Sequence, residues 1–176
     1  MDFAPDIEES LVAAVELVNS AEEPDTLTEI DQLAAFFDKH VYTGSHVGDA
    51  AELAAVRALR APLRRMLTSD RDTTVRLVNE TLAKHRAVPQ LVRHGDVDYH
   101  IHAVPTEAPL PVRIAVETAI ALVDLIRTDE LSRLSLCADS TCEGIVLDLS
   151  RNRSRRYCST ACGNRNAVAA YRARRK

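Results

Sequence analysis

The sequence predicts a mainly α-helical fold followed by a small module built around four cysteines. Apolar residues make up 46% of the 176 positions, which is enough to form a core. Aromatic residues make up only 4%, with no tryptophan, while alanine and leucine are abundant. This composition favours closely packed helices over a β-sandwich. Apolar residues also recur at intervals of three and four positions, as they do on one face of a helix.

Four helical segments are predicted before residue 87, each with an apolar stripe. Thr28 is expected to cap the second and Asp49 the third, because their side-chain oxygens can accept hydrogen bonds from free N–H groups. Pro62 lies inside the third stripe and is expected to kink or split that helix, because proline cannot donate the helical hydrogen bond. The segments cover residues 7–19, 28–39, a stretch from Asp49 to Met66, and 71–86.

A β-hairpin and a long helix are predicted next. Residues 90–104 alternate between polar and apolar side chains, and Gly95-Asp96 supplies a turn. The apolar positions of this alternation are Val97, Tyr99, Ile101 and Ala103. After a proline-containing linker, residues 112–135 are predicted to form a helix that is nearly apolar for two turns and runs directly into Cys137. We expect this helix to lie at the centre of a helical bundle.

The charge is distributed unevenly along the chain. Residues 151–176 contain nine basic residues and no Asp or Glu, whereas the first 150 residues carry 13 basic and 26 acidic side chains. The net charge of −4 therefore combines an acidic body with a strongly basic segment. This pattern favours contact with a polyanion. A competing interpretation is that the basic segment binds the acidic body of its own chain.

The four cysteines of the chain follow the pattern C-x4-C-x15-C-x3-C. Two close pairs suit Zn²⁺, which prefers four tetrahedral ligands and binds thiolates strongly. Two disulfides would need an oxidising compartment, for which the sequence gives no indication, and free thiols are the other alternative. With four protein ligands no position remains for water, so we predict a structural rather than a catalytic zinc. The predicted ligands are Cys137, Cys142, Cys158 and Cys162.

The segments around these ligands indicate a treble-clef-like zinc finger, which consists of a β-hairpin and a helix. The first pair lies on a short polar knuckle, and residues 145–149 form a β-like stretch. Asn152 marks a turn and Tyr157 begins the returning segment. The second pair then opens a helix over residues 164–174, whose N-terminus favours the negative charge of the thiolates. We therefore predict a helical domain over residues 1–135 and a zinc finger over 136–176.

The sequence Cys162-Gly163-Asn164-Arg165 spells CGNR, and it follows Ser154-Arg155-Arg156-Tyr157-Cys158-Ser159. This resembles the CGNR zinc finger, a C-terminal module of bacterial proteins. Such modules usually follow a helical domain called ABATE, in a family described as stress-induced transcription regulators. Val18-Asn19, the segment Arg57-Ala58-Leu59-Arg60 and the long helix entering the finger are similar to that domain. The chain departs from the usual finger in two respects. Three residues separate its last two cysteines, and Tyr157 lies where Trp is common.

The resemblance implies DNA binding, and the residues support it independently. Arginine donates two hydrogen bonds to a phosphate, while arginine and asparagine can read bases in a major groove that admits one helix. We expect the hairpin arginines on phosphate and the helix of residues 163–174 near the duplex. Asn164 and Arg165 could instead brace the zinc site, and Gly163 is expected to allow close packing or unusual backbone angles. The candidate nucleic-acid contacts are Arg151, Arg153, Arg155, Arg156, Asn164, Arg165, Asn166, Arg172, Arg174 and Arg175.

Other patterns carry less information. His100 and His102 share one strand face with Asp98, which suits a metal or ligand site but is more typical of a solvated face. The sequence contains no phosphate loop, serine elbow or HExxH pair, so we predict no enzymatic activity. It also contains no apolar run long enough to cross a bilayer and no secretory signal, so a cytoplasmic protein without membrane contact is expected.

These features predict a zinc-dependent, DNA-binding transcriptional regulator. One small finger buries little surface, so we expect a homodimer, and the helical domain could supply the dimer contact or sense a small-molecule effector. The alternative is a finger that acts as a structural clamp or docks onto another protein. RNA binding is a third possibility, disfavoured because few aromatic side chains are available to stack on bases.

Overall fold

The computed structural model describes residues 3–94 and 97–175, and this part of the chain contains seven α-helices and two short antiparallel hairpins. The expected mainly helical fold is therefore confirmed, while the predicted turn at Gly95-Asp96 lies outside the described residues. The helices are α1 Pro5–Asn19, α2 Ile30–Lys39, α3 Ala50–Ala58, α4 Arg60–Thr68, α5 Arg71–Lys84, α6 Leu110–Arg127 and α7 Thr160–Ala173. The strands are β1 Gln90–His94, β2 Val97–His102, β3 Leu134–Leu136 and β4 Ile145–Leu147.

Helix α6 forms the centre of the helical bundle, with α1, α3 and α5 packed against it. Ile114, Leu122 and Leu125 are completely buried on this helix, because neighbouring helices cover it on several sides. Burial of side chains of this size stabilises the fold by about 1.5–3 kcal/mol each. The buried face is rotated from the predicted stripe, since Val112 and Val123 are only half-buried.

The prediction that this helix runs into the first cysteine is wrong. Helix α6 ends at Arg127, and Asp129 adopts a left-handed backbone with φ of 59°. The Glu130 N–H donates to the Leu125 carbonyl at 2.8 Å, which gives the geometry of a Schellman cap. A short 3-10 turn, Leu131–Arg133, then leads into β3. The chain therefore approaches the cysteines as a strand, and β3 spans the expected domain boundary.

Two helix starts can be compared with their predicted caps. Asp49 caps α3, since its carboxylate accepts from the Glu52 N–H at 2.8 Å, as expected. The predicted cap at Thr28 is wrong by one residue, because Glu29 forms a capping box with Gln32. The predicted break near Pro62 is confirmed: α3 and α4 separate at Leu59, which places the proline in the first turn of α4.

The first hairpin pairs β1 with β2 and lies at the edge of the helical domain. Its alternating pattern predicted a strand correctly but did not predict which face is buried. Ala103 is buried, Ile101 is half-buried, and Tyr99 is 67% exposed. The opposite strand also exposes Leu91. The hairpin therefore borders the core without contributing a complete apolar face to it.

The second hairpin differs from the predicted one. Residues of β4 pair with β3, so Leu136 lies opposite Ile145, and no described residue after Asn152 returns as a strand. All three residues of β4 are buried, because both of its faces are covered. Ile145 and Leu147 join the core of the helical domain, whereas Val146 packs beside the cysteines. One three-residue strand thus belongs to both halves of the molecule.

Candidate metal centre and basic surface

The structure brings the four predicted metal ligands together. Cys137 follows β3, Cys142 lies in the connection to β4, Cys158 precedes α7, and Cys162 lies in the first turn of α7. Their sulfur atoms all lie within 4.8 Å of one another, with Sγ–Sγ distances of 3.5 Å from Cys142 to Cys158 and 3.7 Å from Cys158 to Cys162. A tetrahedral zinc with Zn–S bonds of about 2.3 Å requires sulfurs about 3.8 Å apart. The cluster therefore fits a zinc finger.

The surroundings of the thiols shift their pKa values in different directions. Burial raises the pKa of Cys158 far above its ordinary value, and burial likewise raises the pKa of Cys142. A hydrogen bond from Ser159 lowers the pKa of Cys162. Because four thiolates in contact repel one another, a bound metal ion is the natural source of compensating charge.

Polar N–H groups surround the sulfurs. The Gly144 N–H donates to the Cys142 Sγ at 3.3 Å, and the Cys158 N–H donates to the Cys137 Sγ at 3.5 Å. Hydrogen bonds of this kind favour the thiolate form and orient the ligand. The main chain of the finger is therefore folded to receive negatively charged sulfur.

Gly144 is a residue that the sequence reasoning did not single out. A Cβ added there would lie 2.8 Å from the Cys158 Sγ and 3.2 Å from the Cys142 Sγ, so only glycine allows this approach. The expectation for Gly163 is wrong. Gly163 lies within α7 and has no positive φ, and an added Cβ would meet Tyr157 at an ordinary 3.6 Å. The glycine that the metal site needs is therefore not the one in the CGNR sequence.

Two buried aspartates shape the loops on either side of the cluster. Asp139 accepts hydrogen bonds from the Thr141 N–H and hydroxyl, and these bonds lower its pKa. Asp148 accepts from the Ser150 N–H and hydroxyl and from the Arg155 N–H, and its pKa is also lowered although burial opposes this. Both follow the pattern of Asp with Ser or Thr two residues later, which is a turn signal that the sequence reasoning did not use.

Arg165 contacts the metal site directly. Its Nε donates to the Asp139 carboxylate at 2.9 Å, and a terminal nitrogen lies 3.0 Å from the Cys162 Sγ. The Asn166 side chain donates to the Cys162 carbonyl at 3.0 Å, whereas Asn164 is exposed. Of the two roles considered for Arg165, bracing of the cysteine cluster is therefore the one supported by its contacts.

The remaining predicted contacts fall into two groups. Arg153 pairs with the buried Glu130 at 2.6 Å, and the Arg155 guanidinium reaches the carbonyl oxygens of Tyr157 and Cys158. These two arginines fix the loop. The second group extends into solvent without an ion pair to any described residue, although Arg175 stacks on the Tyr171 ring. It comprises Arg151, Arg156, Arg172, Arg174 and Arg175.

The loop that carries the hairpin arginines is attached to the body by Arg133, which the sequence reasoning missed. This buried residue pairs with Glu130 at 2.8 Å and donates to the carbonyl oxygens of Asp148 and Ser150 at 2.9 and 3.2 Å. Its guanidinium also lies over the Phe3 ring at 5.5 Å from the centroid. Removal of either partner would leave an uncompensated buried charge, so the pair is a fixed part of the junction.

Two family models match separate parts of the chain. Residues 133–175 match the CGNR zinc finger, and residues 11–129 match ABATE, whose description is "Putative stress-induced transcription regulator". A search of curated proteins found no match. Within the described part of the chain, no helix is long and apolar enough to cross a membrane. Since the ABATE match covers well over half of the sequence, the chain belongs to the ABATE family and carries a CGNR zinc finger.

Proposed function

We propose that this protein is a transcriptional regulator that binds duplex DNA through its finger, with Zn²⁺ held by the four cysteines. The observation that carries the proposal is the open basic surface. Five arginines extend from the finger without acidic partners among the described residues, and of the basic residues described between 151 and 175 only Arg153 and Arg165 pair with carboxylates. The alternative in which this segment folds back onto the acidic body is therefore not favoured.

Helix α7 has the form expected of an element that enters a groove. After Asn166 every residue of the helix up to Ala173 is exposed, so the helix extends beyond the body of the protein. Its 14 residues span roughly 21 Å at 1.5 Å per residue. A major groove about 12 Å wide accommodates such a helix. We propose that Arg172 and Arg174 contact phosphates on one side of the groove while Arg151 and Arg156 reach the neighbouring backbone.

The helical domain would supply regulation or dimerisation. A cavity of about 590 Å³ lies beside the first half of α1, and the last residue of α1 contacts β4. A small-molecule effector in that cavity would therefore act on a helix that is attached to the finger. The exposed apolar side chains of Val88 and Leu91 in the helical domain are available for a second copy of the chain.

DNA binding is tested by fluorescence anisotropy of labelled duplex DNA with the zinc-loaded full chain over a salt series. The Arg172→Gln, Arg174→Gln double variant should bind more weakly and reduce the salt slope by about one for each phosphate interaction that the substitutions remove. The matched control is Arg65→Gln, Arg127→Gln, which neutralises two exposed arginines of the helical domain. Equal DNA affinity of the two double variants at every salt concentration would contradict the assignment of Arg172 and Arg174 as DNA contacts.

A structural clamp is the second candidate, and one observation favours it. Ile145 and Leu147 of the finger complete the core of the helical domain, so the finger stabilises its neighbour whether or not it binds DNA. The anisotropy experiment separates the two roles. A zinc-loaded protein that does not bind duplex DNA even at low salt would leave the clamp as the function of the finger.

A further inference from the structure

The cavity in the helical domain lies between α1, the loop after α2, β2 and α6, far in sequence from the cysteines. Its volume of about 590 Å³ is in the range of small-molecule sites. Part of its lining is apolar, including Ile7, Ile101 and Ile120, and two tyrosines add aromatic surface. It therefore suits a ligand with an apolar body.

Apart from the histidines, the charged side chains that line the cavity are all acidic. Asp6, Glu9, Asp98 and Glu117 line it, and neither lysine nor arginine is present among its described lining residues. His40 is the buried histidine of the wall, and it already contacts Glu9 at 2.6 Å and Glu16 at 3.3 Å. An anionic ligand would meet carboxylates without a free guanidinium or ammonium group to compensate them.

Glu117 is the residue that gives the cavity its chemical preference. It projects from the central helix α6 into the cavity, and no described residue donates a hydrogen bond to its carboxyl or forms an ion pair with it. Burial raises its pKa to about 7, because an ionised carboxylate loses hydration there. A carboxyl group in such surroundings gains more from a cationic partner than one in water does.

The charge of Arg113 opposes part of this rise in the pKa, and the Arg113 guanidinium forms no ion pair with the Glu117 carboxyl. Arg113 lies one helical turn before Glu117, but its guanidinium donates to the carbonyl oxygens of Thr43, Ser45 and Ala108. Three donors are thus committed to the loop before α3 and the turn before α6. The Glu117 carboxyl is left facing the cavity, where the ligand would lie.

The aromatic part of the wall also favours a cation. Tyr42 and Tyr99 both line the cavity, and burial raises the pKa of Tyr42 well above its ordinary value, so its phenol stays neutral. Neutral aromatic rings attract ammonium groups through their negative faces. His100 and His102, whose Nε2 atoms lie 3.0 Å apart, complete the side formed by β2.

We propose that this cavity binds a small organic cation, a protonated amine carried by an apolar or aromatic body, with the ammonium group paired to Glu117. The ligand would be the effector of the proposed regulator, so its regulatory meaning rests on that function. Binding of the ligand does not rest on that function, because the cavity lies in the helical domain and can be titrated without DNA.

The test uses three probes of similar shape and different charge on the zinc-loaded full chain at about pH 8. Phenethylamine is the cation, 2-phenylethanol the neutral analogue and phenylacetate the anion, each measured by isothermal titration calorimetry. Phenethylamine should bind on the order of tenfold more tightly than 2-phenylethanol, and phenylacetate should bind most weakly. Binding of phenylacetate at least as tight as that of phenethylamine, or absence of binding by all three, would overturn the proposal.

A variant pair assigns the preference to one carboxyl group. Glu117→Gln should remove the preference for phenethylamine over 2-phenylethanol while retaining the shape of the side chain. Glu8→Gln is the control, because Glu8 is exposed on α1 and does not line the cavity. Retained preference in a folded Glu117→Gln protein would exclude Glu117 as the partner. DNA binding measured in parallel, without probes, shows separately whether the proposed regulatory function holds.

Discussion

Asn19 and Ile145 join the helical domain to the finger through two hydrogen bonds. The Asn19 Nδ2 donates to the Ile145 carbonyl at 2.8 Å, and the Ile145 N–H donates to the Asn19 Oδ1 at 2.7 Å. The side-chain amide at the end of α1 thus satisfies both main-chain groups on the edge of β4 that faces away from β3, as a neighbouring strand would. Because β4 directly follows the first cysteine pair, this contact sets the position of the metal site relative to the helices.

Replacement of Asn19 by Ala should destabilise the whole protein. The change leaves a donor and an acceptor of a buried strand without partners, which costs about 1–3 kcal/mol for a buried group. Urea unfolding of the zinc-loaded protein measures the loss, with Asn79→Ala as the control on the exposed face of α5. Equal stability of the two variants would show that the Asn19 contact contributes little.

The two glycines of the finger should respond in opposite ways to the same substitution. Gly144→Ala places a Cβ within 2.8 Å of the Cys158 Sγ, so the ligands must separate and zinc affinity should fall at least about tenfold. Gly163→Ala should leave zinc affinity unchanged and stabilise α7 by about 0.5–1 kcal/mol. Competition with a chromogenic chelator measures the affinity. Comparable losses in both variants would contradict the packing shown around Gly144.

Two arginines on α7 should separate metal binding from DNA binding. Arg165→Gln removes the contacts with Asp139 and the Cys162 Sγ, so zinc affinity should fall by about 10- to 100-fold. Arg172→Gln is the matched control for the metal, because Arg172 extends into solvent. We expect it to retain zinc affinity and to bind DNA less tightly. A loss of zinc affinity in Arg172→Gln comparable to that in Arg165→Gln would contradict the assigned bracing role.

The features predicted from sequence were those determined by short-range patterns. The clustering of the four cysteines was predicted because their spacing restricts how they can meet, and the cap at Asp49 because its partner lies three residues away. The end of α6 was missed, since no Gly or Pro lies between Arg127 and Cys137. That helix stops because Asp129 adopts a left-handed conformation and β3 finds a partner in β4, which is a tertiary interaction.

The buried charges were missed for a related reason. Glu117 is one of four charged residues in the largely apolar helix α6, and the sequence does not show which of them face solvent and which face a cavity. The same ambiguity applies to Arg165, which the CGNR sequence placed near the metal without indicating the direction of its side chain. A charged residue in the middle of a largely apolar helix is nevertheless a usable signal, since such groups are costly to bury without a purpose.

The cavity carboxyl should leave a measurable signature in the pH dependence of stability. Burial raises the pKa of Glu117 from an ordinary 4.5 to about 7 in the folded state. A raised pKa means that the folded protein holds the proton more tightly, so this contribution to stability is fully present below about pH 4.5 and is lost as the pH rises through about 7. The total loss is at most about 3 kcal/mol at 1.36 kcal/mol per pKa unit.

Glu117→Gln should therefore become more stable than the unmodified protein as the pH rises from about 5 to 8. Below about pH 4.5 the two proteins should have similar stability, because Glu117 is then uncharged in both the folded and unfolded states. Urea unfolding at several pH values measures the difference in the free energy of unfolding between the two proteins. The titration of His40 and the surface groups occurs in both proteins and largely cancels in this difference. Glu8→Gln should show no such trend, because Glu8 is exposed. A difference between Glu117→Gln and the unmodified protein that stays constant across this range would mean that Glu117 ionises as freely as a solvated carboxyl.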